Sequence, residues 1–369
     1  MRGERVPSRS SSGERCELTR VRERGERRRD AHDGNGDRNS RNPEEEMGNN
    51  LSSFLQWQPN ISLIHKMGWP MAFRYVSLLG SLYYFFRAKE KRKIIDSIQN
   101  AFAETKDYRE IRTLTRDVFR GILHHYCEKL FNAYESVPNL KAFFDESIEA
   151  PSLYKIDEAL KQKKGILFVT GHFGGIEYIP IFLSLRGYPI SVIIKCATDH
   201  LKDNLHARAK ELGIRVIDAD QENVLGAVIR DLRENRVVFI ECDEIEEWKP
   251  SRTEKMFFLG KRIGVDKTIN LLQRRSGAQV VFGLLHRVSL EKYSFIIRSY
   301  RDILEKGPVS ISSVGAGLLK VFEQHVWHHP EGWYQWNKFS TVAVPPAISI
   351  KPGKTMNPLA LRPTLTKAV

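Results

Sequence analysis

The sequence holds only four cysteines among 369 residues: Cys16, Cys127, Cys196 and Cys242. None forms a C-x-x-C pair, which argues against a structural zinc site or a disulfide framework, and so sparse a set suits a reducing compartment. Long apolar runs are missing too. No uncharged apolar stretch reaches 18 residues, and the nearest, 75–86, has twelve, too few to mark a membrane-spanning helix by itself. The N-terminus is charged and lacks the apolar segment of a secretory signal. The chain also has no G-x-S-x-G nucleophile elbow, no G-x-x-x-x-G-K-[ST] phosphate loop and no G-x-G-x-x-G dinucleotide fingerprint.

Residues 1–46 contain no lysine, no aromatic residue and almost no aliphatic one, and twelve arginines there face eleven acidic residues. Such a stretch cannot bury enough apolar surface to offset the entropy of ordering, so it reads as a disordered Arg-rich extension. Its alternating charge argues against a nucleic-acid arm. Met47 opens a sequence of ordinary composition, as though 1–46 were an upstream extension.

What is present is globular: 41% hydrophobic and 28% charged residues. The net charge of +13, from 58 basic and 45 acidic residues, falls almost wholly on 47–369 and favours anionic partners. Residues 47–135 read as a helical region. Ile94, Ile95, Ile98, Ala101 and Phe102 recur at helical spacing, as do Val118, Ile122, Tyr126 and Leu130. The first helical segment, 61–86, carries Trp69, Phe73, Tyr75, Tyr83, Tyr84, Phe85 and Phe86, with Arg87, Lys89, Lys91, Arg92 and Lys93 directly after it. Aromatic rings beside a basic cluster suit an anionic bilayer interface; a core helix followed by a solvated basic helix fits the same residues.

Residues 136–344 read differently. Short apolar runs at 166–170, 190–194, 216–218, 237–241, 279–285 and 293–298 are candidate strands. Candidate helices follow the first three at 176–185, 201–212 and 224–233, and another runs from 314 to about 327. Strand–helix alternation with apolar strands predicts an α/β fold, a mostly parallel central sheet flanked by helices. Residues 345–369, rich in Pro, Lys and Thr, read as a loose tail.

One segment stands out chemically: Thr170-Gly171-His172-Phe173-Gly174-Gly175-Ile176-Glu177. It lies between a strand and the next helix, where α/β sites assemble. Its glycines permit a tight turn, and amides at Gly174 and Gly175 could hold a phosphate or an oxyanion. His172 and Glu177, five residues apart, suggest a base and the carboxylate that orients it; a buried histidine bonded to a backbone carbonyl is the plainer alternative. His325, His328 and His329 are explained by packing and capping, without a metal.

The box His172-x-x-x-x-Glu177 resembles that of glycerolipid acyltransferases. More narrowly it resembles the bacterial lipid A biosynthesis acyltransferase family, whose members usually read Gly-His-x-Gly-Asn-Trp-Glu; Gly175 and Ile176 stand in place of Asn-Trp. The segment His329-Pro330-Glu331-Gly332-Trp333-Tyr334-Gln335-Trp336-Asn337-Lys338 is similar to the family's closing His-Pro-Glu-Gln-Trp-x-Trp-x-x-Lys/Arg, with Gly332 for the usual Gln. Phe257-Phe258-Leu259-Gly260 is similar to its Phe-Phe-Gly segment. The resemblance covers about residues 65 to 340.

The resemblance implies a membrane-associated enzyme at the cytoplasmic face of the plasma membrane. It would move an acyl chain from an acyl carrier protein or coenzyme A thioester to a hydroxyl of a glycolipid acceptor, without a cofactor. His172 would be the general base and Glu177 its partner. Glu241 and Asp243 could support the pair or the acceptor, and Arg208 and Arg287 are candidates for binding phosphate. A thioester hydrolase and a non-catalytic lipid-binding protein on the same scaffold are the competing readings.

Overall fold

The structure, a computed structural model, describes residues 60, 63–64, 66–67, 69–194, 199–220, 223–244, 250–306 and 313–340. The expected extension at 1–46 and tail at 345–369 lie outside them. The described chain begins with three long helices, α1 (Trp69–Phe86), α2 (Ala88–Phe102) and α3 (Tyr108–Tyr134), followed by α4 (Val137–Ser147). An Asp107–Glu110 capping box starts α3, satisfying two amide donors at its first turn. Then come β1 (Ile148–Glu149), α5 (Tyr154–Lys161), β2 (Ile166–Thr170), a 3-10 turn (Ile176–Tyr178), α6 (Ile179–Ser184), β3 (Ile190–Ile194) and α7 (Asp199–Glu211). They are followed by β4 (Arg215–Asp218), α8 (Val224–Arg233), β5 (Val237–Glu241), β6 (Pro250–Phe258), β7 (Lys261–Asp266) and α9 (Thr268–Ser276). The chain closes with β8 (Gln279–Arg287), β9 (Tyr293–Ser299), α10 (Tyr300–Lys306), α11 (Val314–His328), a second 3-10 turn (Pro330–Gly332) and α12 (Trp336–Phe339).

Seven strands form one sheet in the order β1-β9-β8-β2-β5-β3-β4. Every pairing is parallel except β8 with β9. The α/β expectation with a mostly parallel sheet is met. β2 is central and wholly buried, paired with β8 on one side and β5 on the other. Side chains alternate across a strand, so β2 feeds two cores. Leu167 and Val169 enter the apolar cluster that holds Leu318 and Phe322 of α11; Ile166 and Phe168 enter the one that holds Phe144 of α4 and Phe182 of α6.

The N-terminal helices share the first of these clusters rather than forming a core of their own. α1 lies on α3. The Phe73 ring meets His124 at 4.7 Å between centroids and Tyr84 meets Phe119 at 4.9 Å. The opposite side of α1 exposes Met71, Leu78, Leu82, Phe85 and Phe86. Among the described residues no helix is long and apolar enough to cross a membrane.

The antiparallel hairpin β6–β7 stands outside the main sheet. Its two-residue turn, Leu259-Gly260, has φ of +46° and +80°, the sign a tight hairpin turn demands at both positions. Leucine is a costly occupant there, which is why no hairpin was evident from sequence. Within the Phe-Phe pair, Phe258 is buried against Phe322, Trp333 and Phe339 while Phe257 is exposed.

Candidate active site

The loop after β2 is pinned from three sides. The Gly174 amide donates to the Gly332 carbonyl at 2.8 Å and the Gly175 amide to the Leu285 carbonyl at 2.9 Å. The His172 carbonyl accepts from the Tyr334 amide at 3.3 Å. A Phe173–Trp333 bridge completes the junction. The two separated sequence segments, around His172 and around Trp333, therefore meet in space. At Gly332 a Cβ would stand 2.6 Å from the Phe173 ring, so a larger residue there needs that ring to shift. The amides of Gly174 and Gly175, expected to face a ligand, are spent on these carbonyls.

Gly174 has φ +56°, and a Cβ there would lie 2.0 Å from the Leu285 carbonyl oxygen. Gly174→Ala should therefore cost at least about 1–3 kcal/mol, read as a drop of several degrees in Tm. An unchanged melt would show the loop free to shift away from β8.

His172 sits where β2 and β5 end side by side, with Thr170 in register with Glu241. That parallel pairing brings Asp243 to the ring. Its Oδ1 accepts from Nδ1 of His172 at 3.0 Å, and the His172 amide also points at this carboxylate, 3.1 Å from Oδ2. Trp333 Nε1 donates to Oδ2 at 2.8 Å. The other ring nitrogen of His172, Nε2, lies 3.3 Å from Glu244 Oε1. Burial alone would push the imidazole down, but Asp243, then Glu241 and Glu244, outweigh it and raise its pKa to about 9. Burial alone would likewise raise the Asp243 carboxyl; His172 and the Trp333 N–H hold it below the usual range. Glu241, at the end of β5, is raised, chiefly by burial.

A direct His172–Glu177 pair, expected from the five-residue spacing, is not formed. The 3-10 turn faces Glu177 toward α3 instead. Asn132 Nδ2 donates to its backbone carbonyl at 3.0 Å, and its carboxylate lies 3.8 Å from His125 Nε2. His125 is buried and stacked on Tyr334 at 3.6 Å between centroids; the same Tyr334 ring meets His172 edge-on at 5.5 Å. Asp243 thus holds the position relative to the imidazole that the spacing suggested for Glu177. Trp333, Glu244, His125 and Tyr334 were not legible as site residues. Trp333 in particular reads as a core aromatic from sequence, and it is one, with an indole N–H that also serves the site.

The two arginines expected to bind phosphate have protein partners. Arg287 forms a bidentate pair with the buried Glu128 of α3, at 2.8 and 2.9 Å, and Tyr293 Oη donates to the same carboxylate at 2.8 Å. The guanidinium fork that suits a phosphate grips Glu128 instead. Arg208 Nη2 donates to the carbonyls of Asn132 and Glu135 at the C-terminus of α3, and Nη1 to Glu211 at 3.0 Å, a capping role for a cation at a helix end. Nδ1 of His325 and of His328 each bond a carbonyl one turn back, those of Val321 and Gln324.

Residues 139–338 match the family described as bacterial lipid A biosynthesis acyltransferase. No curated protein was found to match the chain. The matched span opens within α4 and closes on Lys338, taking in the His172 loop, Asp243 and the Trp333 segment. It covers more than half of the 369 residues. The chain belongs to the bacterial lipid A biosynthesis acyltransferase family and is an acyltransferase by that membership.

Proposed function

We propose that the enzyme moves a fatty acyl chain from a thioester of acyl carrier protein or coenzyme A to a hydroxyl of a membrane glycolipid, with His172 as general base and Asp243 as the group that orients it. The observation that carries this reading is the Nδ1–Asp243 contact at 3.0 Å, with Asp243 itself fixed by Trp333. A carboxylate on Nδ1 directs the basic lone pair of the neutral ring to Nε2.

In the step we propose, Nε2 takes the proton of the acceptor hydroxyl as its oxygen bonds to the thioester carbonyl carbon. The tetrahedral intermediate then breaks its C–S bond, and the departing sulfur takes the proton back from Nε2. No acyl-enzyme is needed, so the buried thiols of Cys127 and Cys242 have no part in it. Glu177 contributes negative charge beside His125 and Tyr334 rather than a hydrogen bond to His172.

Membrane attachment forms part of the same reading. The exposed side of α1 offers Leu78, Leu82, Phe85 and Phe86, and the basic residues from Arg87 to Lys93 follow directly. An apolar helix face beside a cationic cluster suits the anionic cytoplasmic leaflet. Salt should release part of the protein from anionic vesicles and detergent the rest, because only the electrostatic part is screened. Protein that stays wholly in solution at low salt with such vesicles would contradict attachment.

The acceptor is tested by mass spectrometry of total lipids from cells with and without the gene. The expected result is one glycolipid that loses a single acyl chain when the gene is absent. Unchanged lipids, with free fatty acid released by the purified enzyme, would favour a thioester hydrolase.

A further inference from the structure

Both ring nitrogens of His172 face a carboxylate: Nδ1 faces Asp243 at 3.0 Å and Nε2 faces Glu244 at 3.3 Å. A neutral imidazole carries one N–H and can satisfy only one acceptor. Two carboxylates on two nitrogens therefore hold the imidazolium, which cannot accept a proton. The Glu244 oxygen also stands near the place an acceptor hydroxyl must take, within about 2.6–3.2 Å of the base. Glu244 has a second partner. Lys338 Nζ lies 3.3 and 3.4 Å from its two oxygens. Lys338 is over half exposed and closes the segment that carries Trp333 and Tyr334.

We propose that Glu244 is a latch on the catalytic base: it occupies the Nε2 position in the resting enzyme, is anchored by Lys338, and must leave for the acceptor hydroxyl to bind. The inference rests on the reading of His172 as the base. On opening, the imidazolium loses one carboxylate partner, so a larger fraction of the rings gives the Nε2 proton to water and carries a lone pair there. The carboxylate stays paired with Lys338, so its departure strands no charge. The latch keeps the base unavailable to water until an acceptor displaces Glu244, which limits wasteful hydrolysis of the thioester.

The other charged and titratable groups around His172 come from three elements. Glu241 and Asp243 lie at the end of β5, His125 on α3, and Tyr334 in the closing segment. Asp243 and Glu241 favour the imidazolium alongside Glu244, whereas His125, whose own pKa burial holds well below the usual value, brings no charge against it. Removing the Glu244 charge therefore leaves Asp243 in place and changes one nitrogen only.

The test follows the His172 ring by NMR across pH in the full-length protein, with its resonance assigned by its loss in His172→Ala. Glu244→Gln should lower the titration midpoint by about one unit. That makes about tenfold more neutral base near pH 7, so acyl transfer should rise by about tenfold there and converge with wild type above the wild-type midpoint. Glu244→Ala should do the same, which separates the charge from any effect of the amide. An unmoved midpoint, or a rate that falls at every pH, would overturn the latch. A midpoint that falls in a protein that transfers no acyl chain would support the latch and count against the acyl-transfer reading alone.

Discussion

His172→Ala is expected to lower acyl transfer by roughly a hundred- to ten-thousand-fold, the contribution of a positioned general base. An alcohol is too weak a nucleophile to attack a thioester unaided near neutral pH, and among the described residues no second titratable side chain bonds Asp243 as His172 does. The substitution leaves Asp243 buried with Trp333 and a backbone amide but without its counter-charge, so some stability is lost as well. His172→Asn separates the two effects, because it keeps a donor toward Asp243 yet supplies no base. Its rate should fall as far as that of the alanine variant while its melt stays closer to wild type. Initial rates and circular dichroism read both. A folded variant that kept more than about a tenth of the wild-type rate would remove His172 from the chemistry.

The pH dependence runs in opposite directions for rate and stability. The folded His172 pKa lies above its ordinary value of 6.5, at about 9. The stabilisation from its carboxylate partners is therefore complete below about pH 6.5 and is lost as pH rises through about 9. In the proposed step the neutral ring is the base, so the rate should climb across that same window.

The second large effect concerns Arg287. Its guanidinium and the Glu128 carboxylate are both buried and tie β8 to α3. Arg287→Met should destabilise the protein by about 3–5 kcal/mol, because Glu128 is left as an uncompensated buried charge. Burial already raises the Glu128 pKa even with Arg287 present. The defect should therefore shrink at acid pH, where a protonated Glu128 carries no charge to strand. Arg287→Met combined with Glu128→Leu should recover most of the lost stability in denaturant melts. If Arg287 instead served a phosphate, the single variant would melt normally and bind its anionic donor weakly.

Much of the sheet was legible because its strands are short runs of β-branched and aromatic residues buried on both faces. Ile166–Thr170, Ile190–Ile194 and Val237–Glu241 appear with the expected bounds. The hairpin β6–β7 was not legible, since Leu259 at φ +46° carries no turn signal and Arg252, Glu254 and Lys255 break the apolar pattern. The two-residue strand β1 is too short to leave a pattern. At the site, the strand end and the glycines marked His172. Asp243 stood out only as a possible support for the pair, because closeness in sequence favours Glu177 and misleads at a tight turn. Glu177 is five residues away yet turns toward His125, whereas Asp243 is 71 residues away and arrives through the β2–β5 pairing. Arg287 shows the same limit. A basic residue at a strand end gives no hint of a buried carboxylate 159 residues earlier.

The most direct test of the pairing is the acyl-transfer rate of Asp243→Asn, of His172→Ala and of the two combined, each checked for folding. Asp243 acts through the imidazole in this account, so Asp243→Asn should cost much of the rate by itself and nothing further once His172 is alanine. A double variant slower than His172→Ala by the full factor of Asp243→Asn would show the two residues acting independently, and would contradict the assignment of Asp243 as the group that orients the base.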